Sequence, residues 1–482
     1  MTVKTQIVIL GGGFAGVETA RYLDRTAAKR ADVEVALVSR DNFILFTPML
    51  DEVVAGDLEP AHICNPLRKL LRHVTVLSAE IKAIDLAARQ VTISYGFTAL
   101  TRELPFDHLV LALGSETDYF GIPGVAEHAL GIKTLGDAVM LRAGVIAMLE
   151  AASVEPDPDR RKRMLTFVVA GGGFAGVETV GAINDLARES LPHYGRVDPR
   201  EVRVVLIGGK AILPELGEAL GLYAHERLRR RHVEIKLGVK VNAYAEGAVR
   251  CSDGEVIPAE MLVWAAGVSP SLILNDIPCE LQKGRVVVSS TLEVPGAPGV
   301  WAVGDCALII DPTSKRPYPP TAQHALREGR RAGENIYARL QGKELKLFRY
   351  KMLGQLATIG RRTGVAKMFG LKFSGALGWL LWRTVYLMKL PRFEKKLRVG
   401  LQWALVVVFA RDLGQYLTPR DVGSLNRLLE TTRHEDSALR VRSGRERVCG
   451  DRDAGNFRVG GGRASRGAGG GCGRLYQSSS GG

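Results

Sequence analysis

The sequence predicts an α/β protein in which two parallel-sheet units are built on one plan. Two observations carry that prediction. First, the nine residues Gly11-Gly12-Gly13-Phe14-Ala15-Gly16-Val17-Glu18-Thr19 recur letter for letter from Gly171 to Thr179. Second, each copy follows an apolar run (Ile7 to Leu10, then Phe167 to Ala170) and opens an Ala-rich, apolar-periodic segment. That strand, tight turn and helix context gives a G-x-G-x-x-G pattern its meaning. The first glycine turns the chain, the second lets a pyrophosphate approach the backbone, and the third lets helix lie close on strand. Unpaired N–H groups at the helix start then favour the anion. One copy could be an ordinary glycine-rich turn, but two identical copies 160 residues apart argue against it. The fold class is therefore α/β with two Rossmann-like dinucleotide-binding domains, followed by a C-terminal helical segment that associates with membranes, for the reasons below.

At 482 residues the chain is too long for one core, and several domains are expected. The N-terminus enters the first strand almost at once, leaving no room for a signal peptide. Six scattered cysteines show no C-x-x-C or metal-ligand spacing, so no metal site is expected and a reducing compartment suits them. The net charge of +14 would suggest nucleic acid if it were spread evenly. Instead, Lys346 to Arg411 holds fourteen Lys or Arg against the single Glu394. Leu, Trp and Val lie between these charges, which argues against nucleic acid as a partner.

Residues 1–125 read as the first nucleotide unit. A second strand, Val33 to Val38, ends at Ser39-Arg40-Asp41, where Ser39 stands in place of the usual acidic ribose ligand. Asn42 to Leu50 is an apolar loop suited either to walling a flat ring or to filling a core. Leu109 to Ser115 is a buried strand closing on Gly114. Residues 126–270 repeat the plan after a solvated connector, Glu155 to Arg163. Strand Val202 to Ile207 ends at Gly208-Gly209-Lys210, again without a carboxylate, and Met261 to Gly267 parallels Ala112 to Gly114. Residues 271–345 return to the first unit. Val300 to Asp305 is a strand ending on Gly-Asp, where the Asp can hold a ligand hydroxyl or cap a helix. Thr321 to Arg327 then opens a helix to about Leu340.

From 346 to 418 the character changes. Gly375 to Leu390 is apolar, with Trp379, Trp382 and Tyr386 at helical spacing, and Arg383 interrupts it. Lys395, Lys396 and Arg398 lead into a second apolar run containing Trp403. Neither run reaches the ~20 residues needed to span a bilayer. Short Trp-rich helices flanked by cations suit a pair lying in the interface of an anionic membrane. A dimer interface or a domain core is the alternative use. Residues 419–482 lose their periodicity to Arg, Gly and Ser and read as disordered.

These landmarks together resemble the type II NADH:quinone oxidoreductases. The resemblance rests on GGGFAG with NFILFTPML, GGGFAGVE, VWAAGVSPS, VWAVGDCA, PTAQHA, FRYKMLGQLATIGRRTGVA and the Trp-rich segment. It implies FAD on the first unit, held by Gly11, Gly13, Phe14, Ala15, Gly16, Ser39, Arg40, Thr47, Pro48, Ile81, Ala112, Gly114, Asp305, Ala322 and Gln323. It implies NADH, with NADPH as an alternative, on Gly171, Gly173, Phe174, Ala175, Gly176, Glu178, Gly208, Lys210, Ala266 and Gly267. Glu178 would stand by the nicotinamide and Gln323 at the quinone end. The resemblance further implies quinone reduction without proton pumping by a peripheral membrane protein, on the cytoplasmic face of the inner membrane if bacterial, and a homodimer is compatible with it. Two positions depart from the family pattern: Arg327 replaces a second Gln, and Gly181-Ala182 replaces Gly-Glu. His324 could relay protons, though a helix-surface histidine is the simpler reading. A disulfide-type or sulfide:quinone reductase would need a partner for Cys306, and none is evident. A membrane flavoprotein of low turnover, acting as a redox sensor or as an assembly partner, is the reading from a different class.

Without a carboxylate at Gly208 a 2′-phosphate is not repelled, and Lys210 would attract it. NADPH should therefore be accepted better than by a site with Glu at 208. Comparing kcat/KM for the two nucleotides checks this, and a preference for NADH beyond about 100-fold overturns it.

Overall fold

Both glycine repeats fold as the strand-turn-helix pattern predicts. The structure, a computed structural model, describes residues 4–95, 100–409 and 412–414. The tail at 419–482, with Cys449 and Cys472, lies outside the described residues. In chain order the elements that position the site begin with β1 (Thr5–Leu10), α1 (Phe14–Arg25), β2 (Val33–Ser39), α2 (Leu50–Val54), β3 (Thr75–Ser78), β4 (His108–Leu111) and β5 (Ser115–Thr117). Next come α3 (Leu135–Val154), β6 (Thr166–Ala170), α4 (Phe174–Ser190), β7 (Arg203–Gly208), β8 (Val233–Leu237), β9 (Met261–Trp264) and β10 (Val268–Pro270). The last are β11 (Val300–Ala302), α5 (Ala322–Leu340), β12 (Gly354–Thr358), β13 (Gly364–Met368), β14 (Leu371–Ser374), α6 (Gly375–Lys389) and α7 (Phe393–Val408).

Two parallel sheets result. The first runs β11-β4-β1-β2-β3 and the second β8-β7-β6-β9. Their central strands are buried on both faces, which is why β1, β4 and β6 read as continuous apolar runs rather than alternating ones. β11 pairs with β4 although 189 residues separate Val300 from Leu111, so the chain returns to its first sheet after completing the second. β5 and β10 pair antiparallel where the chain leaves and re-enters that sheet. The connector at 155–163 is more ordered than its charge suggests. Pro158–Met164 is a short helix capped by the Asp157 side chain, and Arg161 pairs with Glu201 at 2.8 Å.

Helix α5 lies on α1 through small residues. The Thr19 hydroxyl donates to the Gly329 carbonyl at 2.9 Å, and a Cβ added at Gly329 would lie 2.1 Å from the Ala15 carbonyl oxygen. The sequence reading did not anticipate the antiparallel sheet β12-β13-β14, which precedes α6. It also separated the basic group from the second apolar run, whereas α7 carries both as one helix.

Gly329→Ala tests the α1–α5 contact. Alanine is worth about 1 kcal/mol in helix propensity, but overpacking against a backbone carbonyl costs about 1–3 kcal/mol. A lowered urea midpoint is expected. Gly195→Ala, where an added Cβ meets nothing within 4 Å, is the matched control and should leave the midpoint nearly unchanged.

Candidate active site

At the first glycine turn, Gly11 adopts φ +112°, a conformation an L side chain resists, and a Cβ there would lie 2.1 Å from the Ala112 carbonyl oxygen. A Cβ on Gly16 would lie 2.0 Å from the Gly11 carbonyl oxygen, so turn and helix touch through backbone. Gly13 differs: nothing lies within 4 Å of a Cβ built there, and α1 starts with no side-chain cap. Backbone donors facing open space at a helix start fit a pyrophosphate. Phe14 and Ala15 open α1, and Ser39 sits against Gly12 at the end of β2 with its hydroxyl donating to the Asp41 carbonyl (2.7 Å). Arg40 and Thr47 are exposed, Pro48 and Ile81 are half-buried, and Gly114 takes φ +69°. Asp305 accepts from the Ser115 hydroxyl at 2.9 Å, and Lys133 donates to that same hydroxyl at 2.8 Å. Burial lowers the Lys133 ammonium pKa, with Asp305 opposing. Sequence reasoning missed Lys133 and Ser115, which have no motif of their own. These residues fit an FAD.

The second turn repeats the first. A Cβ added at Gly171 (φ +130°) would lie 2.5 Å from the Ala265 carbonyl oxygen and one at Gly176 1.9 Å from the Gly171 carbonyl oxygen, while Gly173 is open and α4 has no side-chain cap. Phe174 and Ala175 begin α4. Gly208 ends β7, Lys210 and Ala266 are exposed, and Gly267 packs on Phe120. This cradle fits a second dinucleotide.

Between the two turns lies a cluster of acids. Thr358, at the end of β12, donates its N–H to Glu178 Oε1 (3.1 Å) and its hydroxyl to Asp51 Oδ2 (2.7 Å). Next to Asp51, Glu52 accepts from Arg383 (3.3 Å) and from the Trp403 indole N–H. Arg383 is itself held between the rings of Trp379 and Trp403, at 4.2 and 4.5 Å. Burial pushes Asp51 up to about 6 and Glu52 up to about 8, the latter against the pull of Arg383. Glu178 is half-buried. Its pKa is raised by desolvation first and by Asp51 second. Sequence reasoning found Glu178 but not Asp51, Glu52 or Thr358. Adjacent acids inside the apolar stretch Thr47 to Val54 were the available signal.

Gln323 donates to the Gly354 carbonyl (2.7 Å) and accepts from the Tyr350 hydroxyl (3.1 Å), while Arg327 stacks on the Tyr350 ring at 4.7 Å. Ala322 begins α5 beside it. His324 is not on the helix surface. It is 2% exposed, bonded to Thr321 and flanked by Tyr318 and Tyr350, and burial lowers its pKa to about 4, so it stays neutral. Cys306 is free and buried, its thiol pushed up to about 11 by burial. That disfavours a thiolate, and with it disulfide-type chemistry.

The membrane face expected at Trp379, Trp382, Tyr386, Lys395, Lys396, Arg398 and Trp403 needs correction. Trp382, Trp403 and Lys395 are buried, and Tyr386 packs on Phe46 and Trp382. Trp379 covers Arg383, Lys395 donates to the Ala61 carbonyl, and Lys396 donates to the Met388 carbonyl. Of the seven only Arg398 is exposed, and it pairs with Glu394. Helical spacing identified a stripe but not which way it faces. The outward apolar stripe is instead Leu377, Leu380, Phe393, Leu397, Leu401 and Leu405, each 48% or more exposed. Among the described residues no helix is long and apolar enough to cross a membrane.

Comparison with known proteins gives the family. Residues 5–329 match the family model described as pyridine nucleotide-disulphide oxidoreductase, and 352–412 match the NDH2 C-terminal domain. A type II NADH:quinone oxidoreductase of Mycobacterium tuberculosis is 36% identical over 425 residues, covering 85% of this chain and 89% of that protein. A namesake from Staphylococcus aureus is 31% identical over 380 residues, covering 77% of this chain and 92% of that protein. NDH2 of Plasmodium falciparum, solved with NADH, shares the fold with a TM-score of 0.79 at 20% identity, covering 85% of this chain and all of that one. Two nucleotide cradles on one plan, a buried acid cluster between them and a matching C-terminal domain converge on one assignment: the chain belongs to the type II NADH:quinone oxidoreductase family.

Proposed function

We propose that this chain oxidises NADH with a bound FAD and reduces a quinone at a membrane surface, without pumping protons. The observation that carries the reading is the pair of uncapped helix starts at Gly13 and Gly173, each facing open space beneath an identical glycine turn. FAD, when bound, supplies the two-electron chemistry that links hydride donor to quinone. The protein's own residues bind, orient and exclude water. Backbone N–H groups of α1 and α4 would receive the two pyrophosphates. Asp305, fixed by Ser115 and Lys133, would accept a hydroxyl of the flavin side chain. Glu178 would border the nicotinamide, and Gln323 would orient the quinone at the opposite end. The outward leucines of α6 and α7 would lie in the bilayer interface, with Lys372 and Arg398 near anionic headgroups. In a bacterium this would be the cytoplasmic face of the inner membrane.

Gln323→Ala should slow reoxidation of the reduced flavin by a soluble quinone about tenfold, the equivalent of one positioning hydrogen bond, while bleaching by NADH changes less than about twofold. Stopped-flow absorbance separates the two steps, and the reverse pattern would mean the two ends were assigned backwards. Leu397→Glu with Leu401→Glu puts two carboxylates on the exposed stripe without touching the core. Co-sedimentation with vesicles containing anionic lipid should fall at least about tenfold, with NADH bleaching in solution retained.

A further inference from the structure

One aromatic side chain beside the second cradle belongs to no motif and to no core. Phe120, just beyond β5, is 60% exposed and holds φ +52°, a left-handed conformation that a bulky residue adopts at a cost. Three hydrogen bonds keep it there. The Asp118 N–H donates to the Gly267 carbonyl (3.1 Å), the Trp264 indole N–H donates to the Asp118 carbonyl (2.7 Å), and the Asp118 carboxylate accepts the Phe120 N–H (2.8 Å). The Phe120 ring crosses that of Trp264 at 69°, with centroids 6.2 Å apart. It also lies so close to Gly267 that a Cβ added there would come within 2.5 Å of the Phe120 Cζ. A ring this exposed contributes little to a core, so folding does not account for the backbone it occupies.

The order of strands says which part of a dinucleotide such a ring would meet. In the second sheet β6 is flanked by β7 on one side and β9 on the other. β7 ends at Gly208 to Lys210, where the adenosine ribose would be read, and the pyrophosphate belongs at the start of α4. The remaining half, nicotinamide with its ribose, would then pass over the end of β9 at Ala265 to Gly267. Phe120 stands there. The same segment reaches the flavin cradle, because the Ser115 hydroxyl of β5 donates to Asp305 at 2.9 Å.

We infer that Phe120 is a binding residue for the nicotinamide half of the dinucleotide, its ring packing on that half and holding it toward the flavin. The inference deepens the NADH reading above and rests on it. An apolar ring suits this half because the reduced nicotinamide is flat and uncharged, whereas the pyrophosphate is served by backbone N–H groups and a 2′-phosphate by Lys210. Gly267 has a reason to be glycine on the same account: a side chain there would drive the Phe120 ring out of place.

The test titrates the oxidised full-length holoenzyme with NAD+ and with ADP by calorimetry. NAD+ occupies the site without reducing the flavin, and its cationic ring also favours an aromatic face. ADP carries only the adenosine and diphosphate. Phe120→Ala should weaken NAD+ about tenfold and ADP less than about twofold, while Phe120→Tyr, which keeps the ring, should stay within about twofold of wild type for both. Phe120→Gly separates binding from folding. Glycine takes φ +52° without strain, so its Tm should not fall although NAD+ is weakened as in Phe120→Ala. An unchanged NAD+ affinity in Phe120→Ala overturns the inference. So does equal weakening of NAD+ and ADP, or a lowered Tm in Phe120→Gly, since either marks a structural role. Wild-type holoenzyme that binds neither nucleotide overturns the NADH reading, and this inference with it.

Discussion

The ion pair between Glu52 and Arg383, both buried, joins the first nucleotide unit to α6 across 331 residues. Either partner alone would be an uncompensated buried charge, a defect worth about 3–5 kcal/mol. Each meets its partner only when α6 and α7 are seated on the first nucleotide unit, because the Trp403 indole donates to Glu52 and both Trp379 and Trp403 sandwich Arg383. The C-terminal helices are thus bound to the catalytic part by charge satisfaction as well as apolar contact. An Arg that looked like an interruption in an apolar helix is the reason that helix docks where it does.

The duplicated glycine turns show how one local solution serves two sites. Each uses backbone-to-backbone contact at its first and third glycine and leaves the middle one open. What distinguishes the sites lies at the strand ends beyond the turn. In the first unit Asp305, Ser115 and Lys133 form a hydrogen-bonded chain beside the turn. In the second, Gly208 and exposed Lys210 leave a surface without a carboxylate.

Where backbone conformation governed, the sequence was easy to read: the glycine repeats, the continuous apolar strands and the Gly-Asp ending at Asp305 all carry local signals. Burial was harder. His324 and Trp382 were expected outside and lie inside, because helical periodicity reports a stripe without saying which neighbour covers it. The stripe of α6 that meets β13 could not be recognised while the three-stranded sheet itself went unseen. Asp51 and Thr358 were missed for a related reason: their meaning arises only from a contact spanning 307 residues. Single residues joined by long-range hydrogen bonds leave no spacing to detect.

Helices α6 and α7 therefore have two apolar faces with opposite duties. The inner face, with Trp382, Val399 and Trp403, closes the acid cluster against water, and the outer leucines have no protein partner among the described residues. A helix apolar on both faces is stable only if something other than water meets its second face. For an enzyme whose electron acceptor dissolves in lipid, the same pair of helices can meet the bilayer on one side and line the dry side of the reaction site on the other. Desolvation by burial is the first cause of the raised pKa at Glu52 and at Glu178. Seating the helices and desolvating the buried acids are then consequences of a single packing event.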